Sequence, residues 1–365
     1  MTIRVLPDYI INTLKAGEIV ERPASIVKEL VENALDAHAK RIEVTIVDGG
    51  KTRIMVEDDG SGIPEAEVRL AITRYATSKI EEVQDLYALS TYGFRGEALA
   101  SIAEVSHLSM ITKTTGDLVA TKLSNVSGEV SMIPIPVAGL HGTTVIVENL
   151  FHNTPVRQKF LKSSQTEYFY CYDIFLGYAM MQWDTHRVLK KDDKIIFDLA
   201  PCPDFLERFS QIFKNDWLDH LRVLDFDNDA IRMYGVFSDV GLTFGSPEHI
   251  KIYVNQRPVQ DRVLKKAIMQ AYERQLTPGL YPLAFLFVDI AGDAVDVNVH
   301  PRKQEVRFAD PNAMYQCVLQ TVRQTLGDQK VMQVDSTQLH NLASASFSHD
   351  NYGGGFTSQM SAGSQ

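Results

Sequence analysis

The chain has 365 residues, of which 45% are hydrophobic and 22% charged, a balance typical of a globular protein with more than one domain. Its net charge of −10 excludes general charge-driven binding to nucleic acid, so any such contact has to come from a local basic patch. Cys171, Cys202 and Cys317 stand far apart, which indicates reduced thiols in a cytoplasmic protein rather than a disulfide framework. The sequence shows no signal-peptide pattern and no apolar run of about 18 residues, so we expect no membrane span.

The beginning of the chain is predicted to be mainly helical. Apolar spacing predicts helices over residues 9–20 and 25–37. An alternating apolar pattern over residues 41–62, broken by an Asp-Gly-Gly sequence, predicts a β-hairpin. A further helix is predicted over residues 63–80, because a proline stands in its first turn and the apolar spacing continues after it.

Strand-like runs follow this helical part. The stretch YGFRGEAL leads into a helix that we expect to begin near Glu97, and after it come HLSMITKT, DLVATKLSN, GEVSMIPI and GTTVIVENL. Helices followed by a mostly antiparallel sheet predict an α+β fold, and they argue against the regular alternation of a doubly wound sheet. Pro201 and Pro203 indicate a boundary, so we assign the first domain to residues 1–204.

A second α+β domain is predicted over residues 205–328. Its strand-like runs are LRVLDFD, IRMYGVFS, IKIYVNQR and LAFLFVDI, and its helical runs are RVLKKAIMQAYERQ and PNAMYQCVLQTVRQTLG. Residues 329–365 are dominated by Ser, Gly, Asn and Gln, and no Lys or Arg follows Lys330, which predicts a disordered linker. We expect this linker to lead to a C-terminal dimerisation domain outside the chain.

Acids and one amide interrupt the apolar pattern of the helix predicted over residues 25–37. One face gathers the apolar residues Val27, Leu30, Val31, Ala34 and Leu35. Glu29 and Asn33 are four residues apart, so they project together, about 40° apart around the axis, at the border of this face. This border is either a solvated helix edge or a site, in which the carboxylate takes a proton from water and the amide oxygen binds Mg2+. Glu32 and Asp36 are expected on the far side of the helix, exposed to solvent.

Three further motifs contain glycine. In DDGSGIP, Asp58 precedes two glycines that let the backbone approach a ligand closely. In YGFRGEAL, glycines precede a helix whose first N–H groups can hold phosphate without the lysine of a P-loop. In GLHGTTVIVENLF, Thr143 stands at the start of a strand. Each motif is also compatible with an ordinary turn or a capped helix, so their order carries the information.

That order is typical of the Bergerat (GHKL) nucleotide-binding fold, an α/β sandwich shared by gyrase B, the large heat-shock chaperones, sensor histidine kinases and the MutL mismatch-repair proteins. The stretches AGEIVERPASIVKELVENALDA, RYATSKI, YGFRGEALASIAEVS, NLFHNTPVRQKFL and VDVNVHPRKQEVRF resemble the MutL family, along residues 3–328. The resemblance implies a slow, Mg2+-dependent ATPase. It also implies that the Bergerat domain is followed by a second α+β domain of the ribosomal-protein-S5-domain-2-like type.

The resemblance implies roles for individual residues. Glu29 would be the general base for the water that attacks the γ-phosphate of ATP, and Asn33 would hold Mg2+. Asp58 would accept a hydrogen bond from the adenine amino group, supported by Thr143 through water. The other residues implied to contact ATP are Gly60, Gly62, Thr77, Ser78, Lys79, Gly93, Phe94, Arg95, Gly96, Glu97, Ala98 and Leu99.

Two residues depart from the family pattern. Asp59 stands where Asn is common, so either of the adjacent acids Asp58 and Asp59 could face the adenine. His38 follows the helix where we expect glycine, but histidine tolerates the left-handed conformation better than most residues.

The resemblance also implies a nucleotide contact from the second domain. Lys303, in HPRKQEV, would reach the γ-phosphate from there and distinguish ATP from ADP. The resemblance implies partners as well. Arg262, Lys265, Lys266 and Lys159 would contact the phosphates of double- and single-stranded DNA, although a mixed solvated surface is the alternative. The first residues, MTIRVLPDYI, would pack across an ATP-dependent homodimer. A MutS-type mismatch sensor and a downstream nuclease or helicase would be the protein partners.

Two other functions stay open at this stage. The first is another GHKL ATPase, such as a type II topoisomerase subunit or a chaperone, and the stretches GFRGEAL and NVHPRKQEVRF argue against it. The second is a module that binds ATP without turnover. Glu29 argues against that module, and a rate measurement decides.

Overall fold

A computed structural model describes residues 7, 15–17, 19–79, 91–93, 96–136, 141–213, 215–228, 230–291, 294–296 and 306–327. The chain divides into two compact units, Met1–Ile212 and Phe213–Gln365, which are described one at a time. The division follows Ile212 rather than the predicted residue 204, because the helix over Phe205–Ile212 packs on the first unit. The predicted linker, residues 329–365, lies outside the described residues. Within the described ranges, no helix is long and apolar enough to cross a bilayer.

In its described part, the first unit has helical residues at 15–17 and 19, followed by six helices and eight strands. The helices are α1 (Pro23–Asp36), α2 (Glu65–Val68), α3 (Ala98–Val105), α4 (Pro155–Phe160), α5 (Ser164–Met181) and α6 (Phe205–Ile212). The strands are β1 (Arg41–Val47), β2 (Arg53–Asp58), β3 (His107–Lys113), β4 (Ala120–Val126), β5 (Glu129–Ile135), β6 (Gly142–Glu148), β7 (His186–Lys191) and β8 (Lys194–Leu199). All four predicted strand-like runs after Glu97 are therefore confirmed, as is the hairpin of β1 and β2.

These eight strands form one sheet in the order β5-β4-β3-β6-β2-β1-β7-β8. Every neighbouring pair is antiparallel except β1 and β7, which run parallel. The crossover between β1 and β7 contains α5, which packs against α1 and β1. Central strand β2 ends opposite the start of β6, so Asp58 is paired with Thr143. The pairing brings two distant sequence motifs to one end of the sheet.

Helix α1 begins with Pro23 in its first turn and ends where His38 adopts the left-handed conformation, with φ of 58°. The N–H of Ala39 reaches back to the carbonyl of Ala34 at 3.1 Å and closes the end of the helix. The predicted apolar face is buried, except that Leu35 is only half-buried. The tolerance of histidine for this turn, expected from the sequence, is confirmed.

The helix predicted over residues 63–80 is wrong beyond its first turn. Helix α2 stops at Val68, and a short 3-10 turn, Leu70–Ile72, follows it. Tyr75 has a φ of 63°, which no α-helix allows, and its N–H donates to the carbonyl of Gly96 at 2.9 Å. A contact with the glycine-rich loop therefore replaces the helical hydrogen bonds that the apolar spacing predicts.

The second unit contains helices on an independent five-stranded sheet. Its elements are α7 (Asn215–Leu218), β9 (Leu221–Asp227), β10 (Ile231–Ser238), β11 (Thr243–Phe244), β12 (Ile250–Val254), β13 (Arg257–Val259), α8 (Arg262–Ala271), β14 (Tyr281–Pro282), β15 (Ala284–Ile290), β16 (Val295–Asp296), β17 (Arg307–Phe308) and α9 (Pro311–Gly327). The sheet order is β13-β12-β15-β10-β9, and α8 packs against α9. The α+β class expected for both domains is confirmed.

Two boundaries in this unit differ from the prediction. The run IKIYVNQR is not one strand, because Asn255 and Gln256 both have positive φ, 47° and 59°, and make a tight turn between β12 and β13. Helix α8 ends at Ala271, earlier than predicted. Its apolar side, which includes Leu264 and Ile268, joins one buried core with β12, β15 and α9.

Candidate functional site

Glu29 and Asn33 lie one turn apart on α1, as their spacing predicts. The Glu29 side chain keeps 24% of its surface exposed, and its Oε1 accepts a 3.1 Å hydrogen bond from Nζ of Lys28. The other oxygen, Oε2, has no hydrogen-bond partner among the described residues. Oδ1 of Asn33 accepts a 3.0 Å hydrogen bond from Nζ of Lys79. The helix border therefore presents a carboxylate oxygen to which no described residue donates, and an amide oxygen that already faces a positive charge.

The expectation that Glu32 and Asp36 face solvent is wrong. Glu32 is 5% exposed, because α5 covers that side of α1 and Tyr178 donates a 2.5 Å hydrogen bond to its Oε1. Asp36 accepts hydrogen bonds from Lys79 at 2.5 Å and from the backbone N–H groups of Tyr92 and Gly93. Asp36 thus anchors the start of the glycine-rich loop beside Asn33.

The sequence contained a signal for Asp36. Glu29, Asn33 and Asp36 follow the i, i+4, i+7 spacing that places three side chains on one helix stripe. The helical spacing that predicts Glu29 and Asn33 side by side also predicts Asp36 beside them. Lys28 and Glu32 also stand four apart, which favours an ion pair on a helix. Tyr178 had no such signal, because its partner is 146 positions away in the chain.

The adjacent acids Asp58 and Asp59 have different environments. Oδ1 of Asp59 accepts two backbone hydrogen bonds of 2.7 Å, from the N–H groups of Lys40 and Arg41, so this side chain closes the α1–β1 turn. Oδ1 of Asp58 accepts a 2.8 Å hydrogen bond from the N–H of Gly60. Burial raises the pKa of the Asp58 carboxyl to about 6, although backbone hydrogen bonds from Gly60 and Thr143 oppose the shift. Asp59 therefore belongs to the α1–β1 turn, and Asp58 to the paired ends of β2 and β6.

Both glycines after Asp58 stand where a side chain would collide with backbone. Gly62 has a φ of 71°, and a Cβ there would lie 2.1 Å from the carbonyl oxygen of Lys113. A Cβ on Gly60 would lie 2.7 Å from Cβ and 2.8 Å from the carbonyl oxygen of Ala37. The motif therefore packs tightly between the end of α1 and the end of β3. The close approach to a ligand expected from the sequence stays a prediction.

Thr143 lies beside this motif. Its hydroxyl is 3.0 Å from that of Thr112 on β3, and the Thr112 hydroxyl also accepts a 2.8 Å hydrogen bond from the N–H of Ile63. Thr112 was not singled out from the sequence, since a threonine within a strand run is unremarkable by pattern alone. Asp58, Thr143 and Thr112 together make one polar end of the sheet.

The predicted lid and phosphate residues are only partly described. Thr77 and Ser78 are exposed, and the Thr77 hydroxyl accepts a 3.2 Å hydrogen bond from the N–H of Lys79. Gly96 has a φ of 61° and packs on the carbonyl of Ala76. Glu97 is the N-cap residue of α3, in which Ala98 and Leu99 are the first two residues. Three predicted site residues lie outside the described residues: Phe94, Arg95 and Lys303.

The residues predicted to bind DNA are on helix surfaces of both units. In the second unit, Arg262 and Lys266 are exposed one turn apart on α8, and Lys265 is half-exposed between them. The side chain of Asp261 caps this helix with a 2.8 Å hydrogen bond to the N–H of Leu264. In the first unit, Lys159 is exposed on α4. The exposure is compatible with phosphate contacts, and also with a solvated surface.

Two family models match the chain. One is described as histidine kinase-, DNA gyrase B-, and HSP90-like ATPase and matches residues 21–137. The other is described as DNA mismatch repair protein, C-terminal domain, and matches residues 209–327. The first match covers the helix border of Glu29, the Asp58 motif and the glycine-rich loop.

Relatives named DNA mismatch repair protein MutL match most of the chain. The protein of Opitutus terrae is 41% identical over 325 residues, which are 89% of this chain and 51% of that protein. That of Neisseria meningitidis serogroup C is 40% identical over 328 residues, 89% of this chain and 49% of that protein. That of Coxiella burnetii is 38% identical over 333 residues, 90% of this chain and 58% of that protein. The chain spans about half the length of the curated relatives it matches.

Solved structures agree with these matches. The crystal structure of the N-terminal domain of a DNA repair protein has a TM-score of 0.73 and 26% identity, over 91% of this chain and 99% of that one. The Aquifex aeolicus MutL ATPase domain complexed with ADP has a TM-score of 0.57 and 25% identity, over 75% of this chain and 93% of that one. As the stretches GFRGEAL and NVHPRKQEVRF indicated, the chain belongs to the MutL family of DNA mismatch repair proteins.

Proposed function

We propose that this chain is the ATP-hydrolysing part of a MutL-type mismatch repair protein, and that hydrolysis couples mismatch recognition to later repair steps. The observation that carries the proposal is the border of α1, where no described residue hydrogen-bonds to Oε2 of Glu29, one turn from the amide oxygen of Asn33. The ATPase family match over residues 21–137 and the ADP complex of the Aquifex aeolicus MutL ATPase domain support it.

The adenine of the nucleotide is proposed to bind at the polar end of the sheet. Asp58 is the acceptor for the adenine amino group, because it lies beside Thr143 at this end of the sheet, whereas Asp59 closes the α1–β1 turn. Thr143, opposite Asp58 in the β2–β6 pair, supports the same contact. Gly60 and Gly62 let the backbone after Asp58 pack against the ends of α1 and β3, and this packing would hold Asp58 in place beside the base.

The phosphates are proposed to lie between the α1 border and the start of α3. Glu29 takes the proton from the attacking water through Oε2, which no described residue contacts. The backbone N–H groups of Gly96 and of the start of α3 would face the phosphates, a role that suits a helix N-terminus. The N–H of Gly93 donates to Asp36, so Gly93 would position this loop. By resemblance, Phe94 and Arg95 belong to this phosphate contact, and Thr77, Ser78 and Lys79 belong to the lid that closes over it.

Mg2+ fits the residues at the α1 border. Oδ1 of Asn33 and a carboxylate oxygen of Asp36 already surround one positive charge, the ammonium of Lys79. In the described part of the chain, no cluster of three or more His, Cys, Asp or Glu side chains could hold a metal ion by itself. A single amide ligand suits Mg2+, which keeps several waters and binds mostly through substrate phosphates. When bound, Mg2+ would neutralise charge on the phosphates.

The wider assembly is also a proposal that rests on the family. Closure of the first units as an ATP-dependent homodimer would make turnover slow, since chemistry then waits for assembly. Lys303 would contact the γ-phosphate, and Lys303→Ala is then expected to reduce turnover more than ADP binding. Double- and single-stranded DNA, a MutS-type sensor and a downstream nuclease or helicase are the proposed partners. Sedimentation with a non-hydrolysable ATP analogue tests closure, and an unchanged mass would contradict it.

The central test is ATP turnover of the Glu29→Ala variant, with and without DNA. We expect turnover to fall by about 100-fold or more, the contribution typical of a general base, while ADP binding persists. Glu129→Ala, at an exposed carboxylate on β5, is the matched control and should keep full turnover. Undiminished hydrolysis in Glu29→Ala would remove the proposed mechanism.

A further inference from the structure

A chain of polar contacts runs from α5 through the helix layer to Glu29. The hydroxyl of Tyr178 donates to Oε1 of Glu32 at 2.5 Å, and Oε2 of Glu32 accepts from Nζ of Lys28 at 3.0 Å. The same Nζ donates to Oε1 of Glu29 at 3.1 Å. Tyr178 is 1% exposed and Glu32 is 5% exposed, so the contacts at the inner end lie in the core, and only Glu29 reaches the surface of the site.

In each of these polar contacts, the donor and the acceptor are fixed. Burial raises the pKa of the Tyr178 hydroxyl well above its ordinary value, and the neighbouring Glu32 carboxylate raises it further, so the hydroxyl stays a donor. Burial opposes the charge of Lys28, but Glu29 and Glu32 together raise the pKa of its ammonium above the ordinary value. The rings of Tyr92 and Tyr178 pack edge to face, with 6.0 Å between their centroids. These are the titratable groups that face the cluster among the described residues.

Glu32 connects the two ends of this network. Its Oε1 accepts the hydrogen bond of the Tyr178 hydroxyl, which leaves Oε2 to the ammonium of Lys28. Lys28 in turn donates to Oε1 of Glu29, and Oε2 of Glu29 has no hydrogen bond from any described residue. The Glu29 side chain remains 24% exposed.

We propose that Tyr178, acting through Glu32 and Lys28, is a positioning residue for the catalytic carboxylate of Glu29. The inference rests on the proposed role of Glu29 and adds to it a residue from α5, 146 positions from Glu32 in the chain. Tyr178 does not touch the nucleotide site. Its hydroxyl sets how firmly the carboxylate is held when the attacking water arrives.

The first experiment removes only the hydroxyl. Tyr178→Phe keeps the ring and its packing against Tyr92 but removes one buried hydrogen bond to Glu32, so we expect a lower Tm and an unchanged dissociation constant for ADP. The kcat for ATP, measured well below the Tm, should fall about 3- to 10-fold, a fraction of what a general base contributes, with KM unchanged. Tyr172→Phe is the control on the same helix, since its ring packs on Phe197 at 5.8 Å, and it should keep the wild-type kcat. A loss of ADP affinity in parallel with kcat would assign Tyr178 a structural role and overturn the inference.

The second experiment tests the connection through Glu32. Glu32→Gln removes the charge that holds Lys28 while keeping an acceptor for Tyr178, so it should lower kcat to a similar degree. In the double variant, Tyr178→Phe should cause no further loss, because both changes act on one chain of contacts. Additive losses in kcat would overturn the inference.

The Glu29→Ala variant distinguishes a failure of the positioning role of Tyr178 from a failure of the proposed role of Glu29. If Glu29→Ala abolishes turnover but Tyr178→Phe leaves kcat unchanged, the positioning role alone is wrong. If Glu29→Ala retains turnover, the proposed role of Glu29 fails first and the positioning role falls with it.

Discussion

The ammonium of Lys79 donates a 3.0 Å hydrogen bond to Oδ1 of Asn33, the oxygen that we assign to Mg2+. The same ammonium is 2.5 Å from Oδ2 of Asp36 and also lies next to Gly93. A positive charge of the protein therefore stands where the proposed cation would stand. Because both charges would compete for one amide oxygen, we expect Lys79, a residue of the predicted lid, to move when Mg2+ and nucleotide bind.

Asp36 is expected to hold this arrangement together. Asp36→Ala removes the acceptor for Lys79 and for the N–H groups of Tyr92 and Gly93, so it should cost about 2–3 kcal/mol of unfolding free energy. Urea unfolding measures the loss. Asp184→Ala is the control, since its 3.6 Å pair with Lys40 leaves the Asp184 side chain 60% exposed, and such pairs contribute within about 1 kcal/mol. Equal losses in the two variants would contradict the anchoring role of Asp36.

Asp58 should make stability depend on pH. Its carboxyl has a pKa of about 6 in the folded chain against an ordinary 3.8, so the folded state binds this proton more tightly than the unfolded state. The resulting stabilisation is complete below the ordinary pKa and is lost as pH rises through about 6. Asp58→Asn removes the burial of a charge, and should therefore be about 1–3 kcal/mol more stable than wild type at about pH 8, with the difference shrinking toward about pH 4.

The Asp58→Asn comparison needs unfolding curves at several pH values and ADP binding at neutral pH. ADP affinity should fall even as stability rises, because a neutral amide is the weaker acceptor for the adenine amino group. A variant that is less stable than wild type at about pH 8 would show that burial does not dominate the Asp58 environment.

The sequence predicted the local parts of the site well. Glu29 and Asn33 share a helix border because the 3.6-residue period of α1 holds through its whole length. The end of α1, with His38 in the left-handed conformation, also follows from local rules. Such features depend on residues within one or two turns of each other, and a single sequence contains all of them.

Features that depend on distant elements were not predicted. The burial of Glu32 requires α5 to lie across α1. The choice of Asp58 over Asp59 as the adenine contact requires the hydrogen bonds that hold Asp59 in the α1–β1 turn. The helix predicted over residues 63–80 failed because Tyr75 pairs with Gly96 from another segment. In each case a contact between separate parts of the chain overrides or completes the local pattern.

Gly62 should tolerate no side chain. Its φ of 71° is unfavourable for alanine, and the added Cβ would lie 2.1 Å from the carbonyl oxygen of Lys113. Gly62→Ala is therefore expected to cost about 3 kcal/mol and to weaken ADP binding, because the backbone at the adenine end has to move. Gly116→Ala is the control, since a Cβ there meets no atom within 4 Å. Thermal unfolding and ADP titration of both variants measure the difference, and similar small effects would contradict the tight packing of this motif.

Arg262 should contribute to the salt dependence of DNA binding. It is exposed one turn from Lys266 on α8, and each phosphate contact contributes about 0.9 to the slope of log affinity against log salt concentration. Arg262→Glu should weaken binding to double-stranded DNA and reduce the steepness of this slope by about 1, whatever the DNA sequence. Lys194→Glu makes the same charge change at an exposed position on β8 and should leave the slope unchanged. Fluorescence anisotropy at several salt concentrations measures both variants. Equal slopes for Arg262→Glu and wild type would show that α8 presents a solvated surface rather than a phosphate contact.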